Sequence, residues 1–246
     1  VFFSVNNLKD VLFIFEKISE LFQDRILAFE LIKNTGINFI KETGFLINDP
    51  FTKNTTWMVL MEIDVNIGSI SLKESVEQIL YDFILNNKIV EVFIANTLNQ
   101  RDEFWKIREL IPSANRRKGS ICSNDISVPV EKIPEFITKL DRSISSFSKG
   151  IIVNCFGHVG DGNLHYNIFS SSEDNRHDLE TKRLQLLNIV NNLVNKYSGS
   201  ISAEHGIGRM KVNELNKFED PGKLYMMKLI KSVIDPKNLL NPGVIF

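Results

Sequence analysis

Two β-type runs, at residues 151–156 and 163–169, are separated only by Gly157-His158-Val159-Gly160-Asp161-Gly162. Parallel strands need a crossover of about a dozen residues or more, so a break this short makes the pair antiparallel. Asp161-Gly162 is a preferred pair for a two-residue type I′ turn, which predicts pairing of 160 with 163, 159 with 164 and 158 with 165. Any sheet this chain builds must accommodate that hairpin, and a purely parallel, doubly wound architecture is disfavoured.

Helical and strand patterns alternate around it. Leu8, Val11, Leu12, Phe15, Ile18, Leu21 and Phe22 recur with a 3.6-residue period behind Asn6-Asn7, predicting an amphipathic helix with a polar cap. Short β-rich runs predict strands at 26–32, 57–63 and 89–95, with a weaker helical piece at 37–41. A helix at 71–85 opens on a Ser71–Glu74 capping box. A helix at 99–110, a strand at 125–130 and a helix at 131–145 lead to the hairpin. Helices at 178–196 and 223–233 follow it, before Asp235-Pro236 and Asn241-Pro242-Gly243 stop the chain. This order predicts an α+β fold with a largely antiparallel sheet of split β-α-β, ferredoxin-like units, helices packed on one face, and a short helical C-terminal segment. The expected division is an α+β substrate-binding or cap unit over 1–200 and a helical segment of the same unit over 201–246.

Composition narrows the function classes. The 246 residues are 43% hydrophobic and 24% charged, enough apolar material for a sizeable core. With 29 basic and 30 acidic side chains the net charge is −1, so no global field would gather nucleic acid or anionic lipid. The longest aliphatic or aromatic run, 11–15, is far below the ~20 residues that span a bilayer, and no secretory signal opens the chain. A cytoplasmic protein is expected, with a place at the periphery of the inner membrane left open. Cys122 and Cys155 are too few for a disulfide scaffold and read as small buried hydrophobes. The opening Val1-Phe2-Phe3, without a methionine, is expected of a piece of something longer.

Of four histidines, at 158, 165, 177 and 205, three lie in two glycine-punctuated segments. In the predicted hairpin His158 and His165 face each other with Cβ atoms about 4.5–5.5 Å apart, close enough to converge on one divalent cation through bonds of about 2.0–2.1 Å. Asn163 and Asn167 share their face by the two-residue strand period. In Ser202-Ala203-Glu204-His205-Gly206-Ile207-Gly208-Arg209, Glu204 offers a hard oxygen ligand beside His205. Two histidines and one carboxylate leave coordination positions open, as catalytic metal sites do. Taken singly, each segment fits a structural role: a hairpin with two satisfied imidazoles, and a helix start with an acid near the positive end of its dipole. Taken jointly they favour a metal site. His177, in the polar run 170–178, reads as exposed and idle.

The segments 157–165, 202–208 and Asp235-Pro236-Lys237-Asn238-Leu239-Leu240-Asn241-Pro242-Gly243 together resemble the C-terminal half of the FAD-linked oxidases and dehydrogenases of D-2-hydroxy acids. That group includes D-lactate dehydrogenase, D-2-hydroxyglutarate dehydrogenase and the D subunit of glycolate oxidase. Phe104-Trp105-Lys106-Ile107-Arg108-Glu109 and Asp125-Ile126-Ser127-Val128-Pro129-Val130 are similar to its Trp-x-x-Arg-Glu and Asp-x-Ser-x-Pro segments. The resemblance implies an α+β cap domain over nearly the whole chain, with the N-terminal FAD-binding domain absent and supplied in cis or in trans.

It further implies that His158, His165 and Glu204 ligate a divalent ion, taken as zinc. It makes Arg108 the grip on the substrate carboxylate, places Asn167 near the substrate, and makes His205 the general base that takes the hydroxyl proton as the Cα hydride leaves for the flavin. Asn241 is implied at the cofactor. The substrate it implies is a small D-2-hydroxy acid oxidised to the 2-oxo acid; a homodimer is left open. One departure stands out: many members of the family carry a lysine just before Asp125, where this chain has Cys122-Ser123-Asn124. Arg116, Arg117 and Lys118 read as a solvated cap of a helix dipole, which weakens the case for a dicarboxylate. Two other readings remain: a truncated, non-catalytic remnant or metal-binding module, and a metal hydrolase, since an open metal site can also activate water.

Overall fold

The computed structural model describes residues 1–64 and 70–246. Phe2–Val5 forms β1, a buried strand absent from the pattern-based reading because four residues give no period to count. α1 (Leu8–Phe22) follows as expected, with Asn7 as its cap accepting the Asp10 amide hydrogen. Then come β2 (Ile26–Lys33), α2 (Asn34–Glu42), β3 (Trp57–Ile63), α3 (Ile70–Leu85) and β4 (Glu91–Phe93). The capping box expected of Ser71 and Glu74 involves Ser71, whose side chain lies outside the described residues.

These strands pair antiparallel in the order β4-β1-β3-β2, the arrangement of a split β-α-β-β-α-β unit. α4 (Leu98–Lys118) runs well past its predicted end, straight through Pro112. Proline costs a helix one hydrogen bond and a steric clash, but buried Ile111, Ala114 and Asn115 hold the second half of α4 in place. β5 (Cys122–Ser127), α5 (Ile133–Phe147), β6 (Ile151–His158) and β7 (Asn163–Ser170) complete a single seven-stranded antiparallel sheet, β4-β1-β3-β2-β6-β7-β5, because β6 pairs with the edge of β2. The predicted helix at 178–196 is two helices, α6 (Glu173–Thr181) and α7 (Arg183–Lys196), which meet at Lys182.

Strand alternation sorts the core into two clusters. From β3, Trp57, Val59 and Met61 join the larger cluster, under α1, α3, α5 and α7. Met58 and Leu60 point the other way, into a smaller cluster covered by α2 and α4. The helical layer expected on one face is therefore the larger of two; the second shapes the site.

Beyond Ser200, which bridges to Ser127, the chain forms α8 (Val212–Phe218) and α9 (Pro221–Ile234). α8 is absent from the sequence reading, since Leu215 is its one buried residue and no stripe marks it. Among the described residues no helix is long and apolar enough to cross a membrane.

Candidate functional site

The hairpin departs from the predicted register. Phe156, not His158, stands opposite His165. The reversal is a 3-10 turn over Val159–Asp161 followed by Gly162 in the left-handed region, φ 68°, rather than a two-residue type I′ turn. Two packing demands cause this. Pairing with β2 carries β6 out to His158, opposite Glu30, and Gly162 lies against the Val128 backbone, where an added Cβ would stand 2.1 Å from the carbonyl oxygen. Because the shift is two residues, side-chain faces are preserved. His158 and His165 remain on one side, now diagonal, with ring centroids 6.1 Å apart.

Glu204 reaches the same spot from the segment after β7 and α7. Potential ligand atoms of His158, His165 and Glu204 all lie within 4.8 Å of one another. Nε2 of His158 is 3.1 Å, and Nε2 of His165 3.8 Å, from the Glu204 carboxylate. Two imidazoles and a carboxylate converging in this way fit a divalent cation with positions to spare.

Two acids that the sequence reading did not place in the site hold this arrangement. Asp125, on β5, is buried and its Oδ2 accepts the backbone N–H groups of both Glu204 and His205, each at 2.9 Å. Burial pushes its carboxyl up, but those two bonds outweigh it and hold the pKa below the usual value. Glu30, on β2, is 3% exposed. Its Oε2 accepts from Arg108 Nε at 2.9 Å and its Oε1 lies 2.5 Å from Nδ1 of His158.

Burial opposes ionisation of Glu30, yet the His158 hydrogen bond and the Arg108 charge bring its pKa below the ordinary carboxylate value. The hydrogen bond to Glu30 raises the pKa of His158, whereas burial, followed by the nearby Arg108 charge, lowers that of His165. With Nδ1 donating to Glu30, neutral His158 presents its Nε2 lone pair to the cluster, the tautomer a metal ligand needs. Glu30 was illegible because it sits in an otherwise apolar strand; a lone acid in such a run was the available signal.

The cluster opens into a cleft of about 720 Å³ whose walls include Arg108, Asn167, His205, Arg116 and Lys211. The Arg108 guanidinium lies over the Phe156 ring, 4.6 Å from its centroid. Asn167 donates weakly to the His165 carbonyl at 3.3 Å. His205 is exposed, with Nδ1 3.4 Å from Asp125 Oδ2 and its ring stacked 6.0 Å from that of His165. The structure thus brings six of the expected residues together.

It does not bring Asn241 to them. That residue is exposed, with φ 48°, and does not line the cleft. His177 is exposed on α6. Both cysteines are free and buried; burial pushes the Cys122 thiol up to about 11 and raises that of Cys155 further.

Comparison with known proteins matches residues 1–245 to the family described as FAD linked oxidases, C-terminal domain. The mitochondrial D-2-hydroxyglutarate dehydrogenase of Arabidopsis thaliana is 33% identical over 216 residues, covering 87% of this chain and 37% of that protein. The D-2-hydroxyglutarate dehydrogenase of Stutzerimonas stutzeri (strain A1501) is 31% identical over 230 residues, 92% of this chain and 48% of that one. The chain thus spans less than half the length of these relatives. Among solved structures, p-cresol methylhydroxylase with substrate bound shares the fold, with a TM-score of 0.66 at 11% identity, over 98% of this chain and 51% of that one. So does 4-ethylphenol oxidase from Gulosibacter chungangensis in its isoeugenol complex, with a TM-score of 0.60 at 15% identity, over 98% and 52%.

Proposed function

Since this chain belongs to the family of FAD linked oxidase C-terminal domains, we propose that it is the substrate- and metal-binding half of a FAD-dependent dehydrogenase that oxidises a D-2-hydroxy acid to the 2-oxo acid. The observation that carries this reading is the Glu30 bridge: one buried carboxylate locks a guanidinium and a metal-ligand imidazole into the same cleft. Isolated structural histidines would not need that coupling.

His158, His165 and Glu204 would hold the ion, with zinc the candidate. Once bound, a divalent cation supplies Lewis acidity that lowers the pKa of the substrate hydroxyl. Arg108 offers a planar guanidinium, pre-oriented by Glu30 and Phe156, to the substrate carboxylate. Asn167, which also lines the cleft, offers an amide to the substrate oxygens. His205 takes the hydroxyl proton. Its Nδ1 faces Asp125, which leaves Nε2 as the acceptor. FAD, held by a domain outside these 246 residues in cis or in trans, would supply the acceptor for the two electrons and the Cα hydrogen. The exposed apolar side of α9, with Met226, Ile230 and Val233 facing solvent, supports docking of such a domain.

The test combines metal analysis with reconstitution. The chain alone, and the chain with a flavin-binding domain, are assayed for dye reduction with D-lactate, D-2-hydroxyglutarate and glycolate. Turnover is expected only in the pair, and His158→Ala should lose the ion while remaining folded. No turnover in a metal-loaded pair, or unchanged metal content in His158→Ala, would overturn the proposal.

A further inference from the structure

Between Ser200, bridged to Ser127, and α8, residues 201–211 form a loop without helix or strand that carries both Glu204 and His205. It is a wall between two hollows. Glu204, His205 and Lys211 line the cleft, and behind them lies a second cavity of about 420 Å³, whose walls include Leu187, Asn191, Ile207 and Met210. An added Cβ at Gly206 or Gly208 would meet nothing within 4 Å. At these points the loop is held by polar bonds rather than by packing.

Two sets of bonds do the holding. Asp125 accepts the Glu204 and His205 amide hydrogens, which fixes two points of the backbone and leaves the limb from Gly206 onward to be held by something else. Lys211 reaches back 10 residues: its Nζ donates to the Ile201 carbonyl at 2.9 Å and to Ser202 Oγ at 3.1 Å. Ser202 Oγ donates its own hydrogen to the Gly206 carbonyl at 2.6 Å. The ammonium thus closes the loop into a ring with the hydroxyl as its crosspiece, and Glu204 and His205 sit inside the span from 202 to 206. Lys211 is half-buried and, among the described residues, forms no ion pair; Asp125 and Glu214 act on it through space. Burying an ammonium without a carboxylate partner is unfavourable, and the two bonds it makes across the loop are what offset this.

We propose that Lys211 is a positioning residue which, through Ser202, braces this loop and so holds the Glu204 carboxylate beside His158 and His165. Its importance for a bound ion rests on the reading of those three residues as a metal site. Without the brace the limb relaxes toward the cavity behind it, and the carboxylate loses its fixed place although none of the three ligands has been altered.

The experiment measures zinc affinity by competition with a chelating dye and, on the metal-free chain, amide hydrogen exchange. Lys211→Met keeps the side-chain length and removes its donors. It is expected to lower zinc affinity about 10–100-fold and to speed exchange of the Glu204 and His205 amides at least about tenfold, with the amides of β6 and β7 unchanged. Ser202→Ala should lower affinity as well, and the double variant should stay within about twofold of Lys211→Met, because the two losses share one path. Lys211→Arg, which returns a charged donor, should recover part of the affinity. Affinity within about twofold of wild type in Lys211→Met, additive losses in the double variant, no recovery in Lys211→Arg, or equal acceleration across β6 and β7 would overturn the brace while the metal reading stands. Failure of the wild-type chain to bind zinc would overturn the metal reading instead, and loop exchange in metal-free Lys211→Met then decides the brace by itself.

Discussion

Glu30 shows how much one buried acid can organise. At 4% side-chain exposure it faces Arg108 at 10%, and removing one member of such a pair leaves the other charge without its partner. Glu30→Gln is predicted to destabilise the metal-free chain by about 2–3 kcal/mol near pH 6 in urea unfolding, less than the roughly 3–5 kcal/mol of a fully enclosed pair because Arg108 borders the cleft. The pH dependence follows from the two shifts. The Glu30 carboxyl, lowered from 4.5, contributes stability that is present above that value and is lost as pH falls through its depressed folded pKa. The His158 contribution, raised from 6.5, is full below that value and is lost as pH rises through the folded pKa. The gap between wild type and Glu30→Gln should therefore be widest between these limits and close in acid; a gap that persists at pH 2 would contradict the assignment. Zinc affinity, measured by competition with a chelating dye, should fall about 10–100-fold in the variant because the orienting partner of His158 is weakened. At this scale His158, His165 and Glu204 were legible, as metal-ligand residue types in glycine-punctuated segments. Glu30 and Asp125 were not, because one is hidden in an apolar strand and the other acts through backbone hydrogens of residues some eighty positions away.

Among the elements, the hairpin separates local rules from the packing that overrides them. Asp161-Gly162 favours a two-residue turn, but β2 claims the end of β6 and Val128 accommodates only a glycine at 162, whose carbonyl accepts the Val128 amide hydrogen at 3.0 Å. Gly162→Ala should cost about 3 kcal/mol, combining a positive φ with backbone overlap. Gly160→Ala, whose new methyl would meet only the Phe15 ring at 3.7 Å, should stay within about 0.5 kcal/mol. Urea midpoints of the two variants check this, and equal losses would show that the loop tolerates or rejects Cβ atoms for another reason. α1, β2, β3 and α5 were readable because their apolar periods run long enough to be counted. The continuation of α4 through Pro112 was not, since proline is a local stop signal and the buried residues that offset it contact other parts of the chain.

At the scale of the whole molecule, α9 is the surface that the fold leaves uncovered: Leu224 is its one buried residue, while Met226, Ile230 and Val233 follow one another along an exposed stripe. If a flavin-bearing domain docks there, Ile230→Glu with Val233→Glu should leave zinc content and thermal unfolding of the chain unchanged and weaken association with that domain at least about tenfold in calorimetry; undiminished association would place the docking surface elsewhere. By itself the sequence determined the α+β class, the antiparallel hairpin and the residue types able to hold a cation, because each is written in local periodicity, turn length or side-chain chemistry. Tertiary structure alone decided the hairpin register, the second helical layer, the pairing of Glu30 with both Arg108 and His158, and which of three consecutive bases faces the cleft. Those outcomes depend on which surfaces meet when β6 closes on β2 and α4 lies across the sheet, and contacts between distant segments leave no period in the chain that makes them.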